Sequence, residues 1–152
     1  MPKAKLRAAT IGGSADDIEA AFYQALQQGD IDKLMACWAD EEDILCVQPG
    51  GARLLGHEAI RESFAGLFER GGAIHVQAEA LRKVESLTSS MHSVVEHIEV
   101  ATPEGPRVAL VIATNVYQRT AQGWRMVAHH ASPGTEADAH SGGGSRTLHH
   151  LH

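Results

Sequence analysis

Chemistry near neutral pH needs a group that gains and loses protons there, and the chain places histidines close to the end of its patterned region. Read as a strand, Trp124 to Ser132 sends alternate side chains to opposite faces. Trp124, Met126, Ala128, His130 and Ser132 share one face; Arg125, Val127, His129 and Ala131 share the other. The first set carries large apolar residues with a polar end, so it is expected to look inward. That makes His130 the leading catalytic candidate, as acid, base or hydrogen-bond donor. A histidine that merely ties the strand end to a neighbour fits the same pattern. Glu96 shares a face with Val94, Ile98 and Val100. It reads either as a half-buried carboxylate of raised pKa, partnering His130 in proton transfer, or as an exposed residue of the outer face. Asp40 is the other carboxylate that such a reaction can use. Asn115 lies in an otherwise apolar stretch, where a buried amide must bond a ligand carbonyl or the backbone. Tyr23 and Trp38 can wall a cavity, and Cys46, Gln48 and Ser132 can add to its lining. The ligand-binding set is therefore Tyr23, Trp38, Cys46, Gln48, Asn115, His130 and Ser132. His75 and His92 read as surface or edge residues.

Metal and cofactor chemistry are not expected. Cys37 and Cys46 form neither a zinc spacing nor a redox pair, and read as two buried free thiols. The terminal Leu148-His149-His150-Leu151-His152 can take up metal adventitiously but without a fixed geometry.

The elements that must position these groups follow from periodicity. Ile18, Ala21, Phe22, Ala25 and Leu26 mark one face of a helix from Ser14 to Gln28, capped by Ser14 and stopped by Gly29. Asp30 caps a second helix carrying Ile31, Leu34, Met35 and Trp38. A short strand around Ile44–Val47, a Pro49-Gly50-Gly51 turn and a second short strand at Arg53–Leu55 come next. A third helix runs from His57 to Arg70. Beyond it the pattern is β: Ile74 to Leu87, Met91 to Ala101, Val108 to Thr120 and Trp124 to Ser132. Thr102–Pro106 is expected to be a loop, because its two prolines do not suit a ladder. Helices followed by long hairpins define an α+β fold, a curved antiparallel sheet wrapped around N-terminal helices as a cone or barrel. The domain is assigned to 14–133, between a flexible start (1–13) and a flexible Gly/Ser/His-rich tail (134–152).

Composition narrows the function. The 152 residues carry a formal charge of -6, which gives a nucleic-acid role little support. No apolar run approaches the roughly 20 residues of a membrane span, and no signal segment is apparent at the start. A cytoplasmic location is the default expectation.

Several strings, in this order, carry a resemblance: Trp38-Ala39-Asp40; Pro49-Gly50-Gly51 leading to Leu55-Gly56-His57; Ala59-Ile60-Arg61; Ala113-Thr114-Asn115-Val116-Tyr117; Gly123-Trp124-Arg125; and His129-His130-Ala131-Ser132. Together the chain resembles the SnoaL-like branch of the nuclear transport factor two-like superfamily, which has a cystatin-like cone fold and is related to ketosteroid isomerases. The resemblance implies a cavity at the open end of the cone, a homodimer formed through the outer sheet face, and a histidine and serine in the last strand. It does not imply steroid isomerisation. That mechanism needs a carboxylate base on the first strand, where this chain reads Leu45-Cys46-Val47-Gln48, and a Tyr–Asp oxyanion pair. Tyr117 is available, but no Asp occurs between Asp43 and Asp138. Gln48 also departs from the histidine often found before the Pro-Gly-Gly turn. Three functions stay open: a binding domain for a small apolar or amphipathic molecule, a small metal-independent isomerase, cyclase or hydro-lyase using His130, and a dimeric association domain.

Overall fold

The computed structural model describes residues 13–135; the expectations for the basic start and the Gly/Ser/His-rich tail concern residues that lie almost wholly outside that span. Helix α1 (Ala15–Gln28) begins where the Ser14 hydroxyl accepts the Asp17 N–H at 3.0 Å and stops where Gly29 takes φ 66°. Its apolar face supplies Ile18, Phe22 and Ala25, all fully buried. Only two residues separate it from α2 (Ile31–Ala36), which the Asp30 carboxylate caps through Lys33 N–H. Strands β1 (Leu45–Val47) and β2 (Arg53–Leu55) flank the Pro-Gly-Gly turn, and α3 (His57–Gly71) follows. Four longer strands complete the chain: β3 (Val76–Glu85), β4 (Ser89–Thr102), β5 (Gly105–Thr120) and β6 (Gly123–Pro133).

The α+β class is as expected, with the sheet mixed and open rather than closed into a barrel. Its order is β2-β1-β6-β5-β4-β3, antiparallel except that β1 runs parallel to β6. Helix α1 packs against β6 and β3, so its buried face lies across one side of the sheet. Register shifts at Ala80/Arg82 and at Val116/Tyr117 mark bulges, which bend and twist a sheet locally.

The expected Thr102–Pro106 loop is shorter than its prolines implied. Pro106 sits inside β5, registered with Ala101. The pairing of β5 with β6 ends at Val111, so β5 has a free edge at Pro106 and the missing N–H breaks no ladder there.

Candidate functional site

Inside the sheet, side chains from α1, β4, β5 and β6 make one buried polar chain. Alternation on β5 sends Ala113, Asn115 and Tyr117 inward, as their spacing requires; Asn115 and Tyr117 are fully buried. Asn115 is the hub. Its Nδ2 donates to the Tyr23 hydroxyl (3.1 Å) and to Glu19 Oε2 (3.3 Å), while its Oδ1 faces His129 Nδ1 at 2.6 Å. With the amide carbonyl as acceptor, the neutral His129 ring carries its proton on Nδ1.

From this hub the chain runs two ways. Toward β4, the Tyr23 hydroxyl donates to Glu96 Oε2 at 2.6 Å. Glu96 is 5% exposed, and no cation pairs with it among the described residues. Burial raises its carboxyl to about 7; the Tyr23 hydrogen bond opposes the rise and the Glu19 charge adds to it. Tyr23 in turn is pushed well above the usual phenol range, first by burial and then by the Glu96 charge. Burial likewise holds His129 down to about 4, with the neighbouring His130 charge acting in the same direction. Toward the surface, Glu19 Oε2 accepts the Tyr117 hydroxyl at 2.8 Å and lies 3.0 Å from His92 Nδ1. That separation is of ion-pair length, yet neither His92 nitrogen has an aligned hydrogen bond.

The sequence-assigned residues divide between this interior and other places. Tyr23, Asn115 and Glu96 are brought together. Cys46 is buried on β1, close enough to Glu96 for its charge to add to the burial that lifts the thiol to about 12; Cys37 is also buried and free. Trp38 is buried edge-on to Phe22, with ring centroids 6.4 Å apart, and its Nε1 has no partner. Gln48 is half-buried and accepts from Ser63 Oγ on α3 at 3.1 Å; its Nε2 is buried without a partner. Asp40 is exposed.

His130 and Ser132 do not point inward. Val116 pairs with Ala128 but Tyr117 pairs with Met126, so Val127 is an extra residue on β6. The bulge reverses the alternation beyond it. Met126, His129 and Ala131 are therefore buried, while His130 is exposed and Ser132 is half-buried opposite the exposed Ile112. Nothing in Trp124–Ser132 marks a bulge, so alternation alone put the wrong histidine on the inward face. His92 was missed for a different reason. It shares the inward face of Ser90, Val94 and Glu96 and is fully buried, so the alternation applied to Glu96 would have found it.

Tyr23 thus stands next to a buried carboxyl that belongs to a glutamate, Glu96, and not to an aspartate.

Comparison with known proteins matches residues 16–136 to a family described as the SnoaL-like domain. No curated protein matches the sequence. Among solved structures, the chain is similar to a protein from Thiobacillus denitrificans provisionally described as a calcium/calmodulin-dependent protein kinase type II association domain. The two are 33% identical, with 81% of this chain and 97% of that one covered and a TM-score of 0.73. It is also similar to a provisional dehydratase of the NTF2-like family from Streptomyces avermitilis, at 28% identity, with 78% and 91% covered and a TM-score of 0.69. A ketosteroid isomerase-like protein from Erwinia carotovora shares the fold at 17% identity, with 79% and 93% covered and a TM-score of 0.68.

Proposed function

The chain belongs to the SnoaL-like domain family, and from that premise we propose that it binds a small, mainly apolar molecule whose oxygen-bearing end meets Tyr23 and Glu96. The observation that carries this reading is Glu96 itself. A carboxyl buried beside a phenol and without a cation costs stability that an apolar residue of similar volume would not cost. Perturbed acids of this kind concentrate at functional sites. With its pKa about 7, the group is partly protonated at neutral pH and can present an O–H to a carbonyl oxygen, and the Tyr23 hydroxyl becomes a second donor when it turns from Glu96 to the ligand.

A panel of apolar ketones and phenols, screened by thermal shift, tests the reading. At least one compound is expected to raise the melting temperature, with Glu96→Leu and Tyr23→Phe each weakening its binding by about tenfold or more. Absence of any shift across the panel, or equal binding by Glu96→Leu, defeats it.

The pKa of Glu96 also favours a catalytic version, in which Glu96 rather than His130 transfers the proton. Turnover would then show a pH inflection near 7 that disappears in Glu96→Gln. Self-association is favoured by a separate observation: the outward face carries exposed Met91, Val108 and Ile112. A homodimer through that face is compatible with ligand binding inside, and sedimentation of the Ile112→Glu variant as a monomer would support it.

A further inference from the structure

The outer end of the buried chain has features that neither a binding pocket nor a dimer face explains. His92 is fully buried, and neither ring nitrogen has an aligned hydrogen bond. A buried imidazole without partners costs stability, so its Nε2 calls for something to bind. That nitrogen faces two carboxylates from two other elements: Asp16 Oδ1 of α1 at 3.8 Å and Glu85 Oε2 of β3 at 4.0 Å. One donor atom from each of the three residues lies within 4.8 Å of the other two. We propose that His92 Nε2, Asp16 and Glu85 form a binding site for a divalent first-row transition ion, with zinc as the reference case.

The donor set suits such an ion: one imidazole nitrogen and two carboxylate oxygens, with further positions open to water. Zinc bonds of about 2.0–2.2 Å place tetrahedral donors ~3.3 Å apart, so each carboxylate has to close on Nε2 by about 0.5–0.7 Å, and the two carboxylates on one another by up to ~1.5 Å. Both can move, since the Asp16 and Glu85 side chains are 60% and 57% exposed. The other His92 nitrogen, Nδ1, lies 3.0 Å from Glu19 Oε2 without an aligned hydrogen bond, so a small turn of the ring would complete the carboxylate–histidine–metal arrangement that fixes tautomer and orientation. Glu19 is itself anchored by Tyr117 and Asn115. One competitor is present. Lys83 Nζ bonds Asp16 Oδ1 at 2.8 Å, and this lysine must swing aside for the ion to enter; its side chain is 38% exposed. The site does not depend on the Tyr23–Glu96 reading.

Zinc titrated calorimetrically into the full chain tests the assignment. The terminal histidines are present in every variant, so their uptake cancels in comparison. The double variant Asp16→Asn/Glu85→Gln changes two exposed residues and should fold normally. It is expected to lose one zinc equivalent, or to bind it about 100-fold more weakly. Glu19→Gln is expected to weaken binding by about tenfold, and Lys83→Ala to tighten it. Long-range proton–nitrogen spectra should show His92 Nε2 shifting on zinc addition. Identical isotherms for the parent and the double variant, or an unmoved His92 signal, mean that zinc goes to the terminal histidines only, and overturn the proposal.

Discussion

The two ends of the buried polar chain begin alike and finish differently. Each has a carboxylate bonded to a tyrosine hydroxyl, Glu96 with Tyr23 and Glu19 with Tyr117, and Asn115 joins them. Glu96 is sealed under the sheet, where no cation pairs with it among the described residues, and burial drives it toward the neutral acid. The Glu19 side chain is 14% exposed and lies beside His92, at the edge of the charged group formed by Asp16, Lys83 and Glu85. Depth separates the two cases. A carboxyl that loses both water and a cationic neighbour is pushed toward its neutral form, as Glu96 is.

The largest expected effect comes from cutting the hub. Asn115→Ala leaves Glu19, Tyr23 and His129 each short of a partner, and chemical denaturation should show a loss of about 3 kcal/mol. A loss below about 1 kcal/mol would mean that the two ends are independent.

The second prediction concerns pH. The folded pKa of Glu96 lies above its ordinary value, so its contribution is fully present below about 4.5 and is lost as pH rises toward 7. His129 has the opposite slope. Its folded pKa is depressed to about 4, so its contribution is present above about 6.5 and is lost as pH falls. Each amounts to about 3 kcal/mol across nearly the same window, and they oppose one another. Tyr23 and Cys46 also face Glu96, and burial holds both in their neutral forms across this window. The parent should therefore be nearly flat between pH 4.5 and 6.5. Glu96→Gln should lose stability as pH falls, and His129→Gln as pH rises. Parallel curves for all three proteins would show that neither group titrates differently on folding.

At the outer end, Glu19→Gln should cost about 1–2 kcal/mol in chemical denaturation, because it disturbs the acceptor that the Tyr117 hydroxyl and the Asn115 amide share. The smallest effect is expected at His130→Ala, within about 0.5 kcal/mol, since this side chain is exposed. A large loss there would contradict the inward assignment of His129.

Helix limits were readable because their signals are local: Ser14 and Asp30 as caps, Gly29 as a left-handed stop. The grouping of Asn115 with Tyr117, and of Glu96 with Val94, needed only the two-residue period of a strand. His129 was not readable, because one extra residue in β6 turns every later side chain over, and no glycine or proline announces it. Nor was the pairing of Pro106, which depends on where β6 stops.

The order of strings along the chain, the element boundaries and the α+β class follow from local periodicity and turn chemistry, and these the amino-acid sequence determined by itself. Which polar groups meet was decided only on folding. Tyr23 and Glu96 stand 73 residues apart, and Asp16, Glu85 and His92 come from three different elements. Such meetings depend on strand register and on the seating of α1 across the sheet, both set by the packing of the whole core rather than by any segment of it.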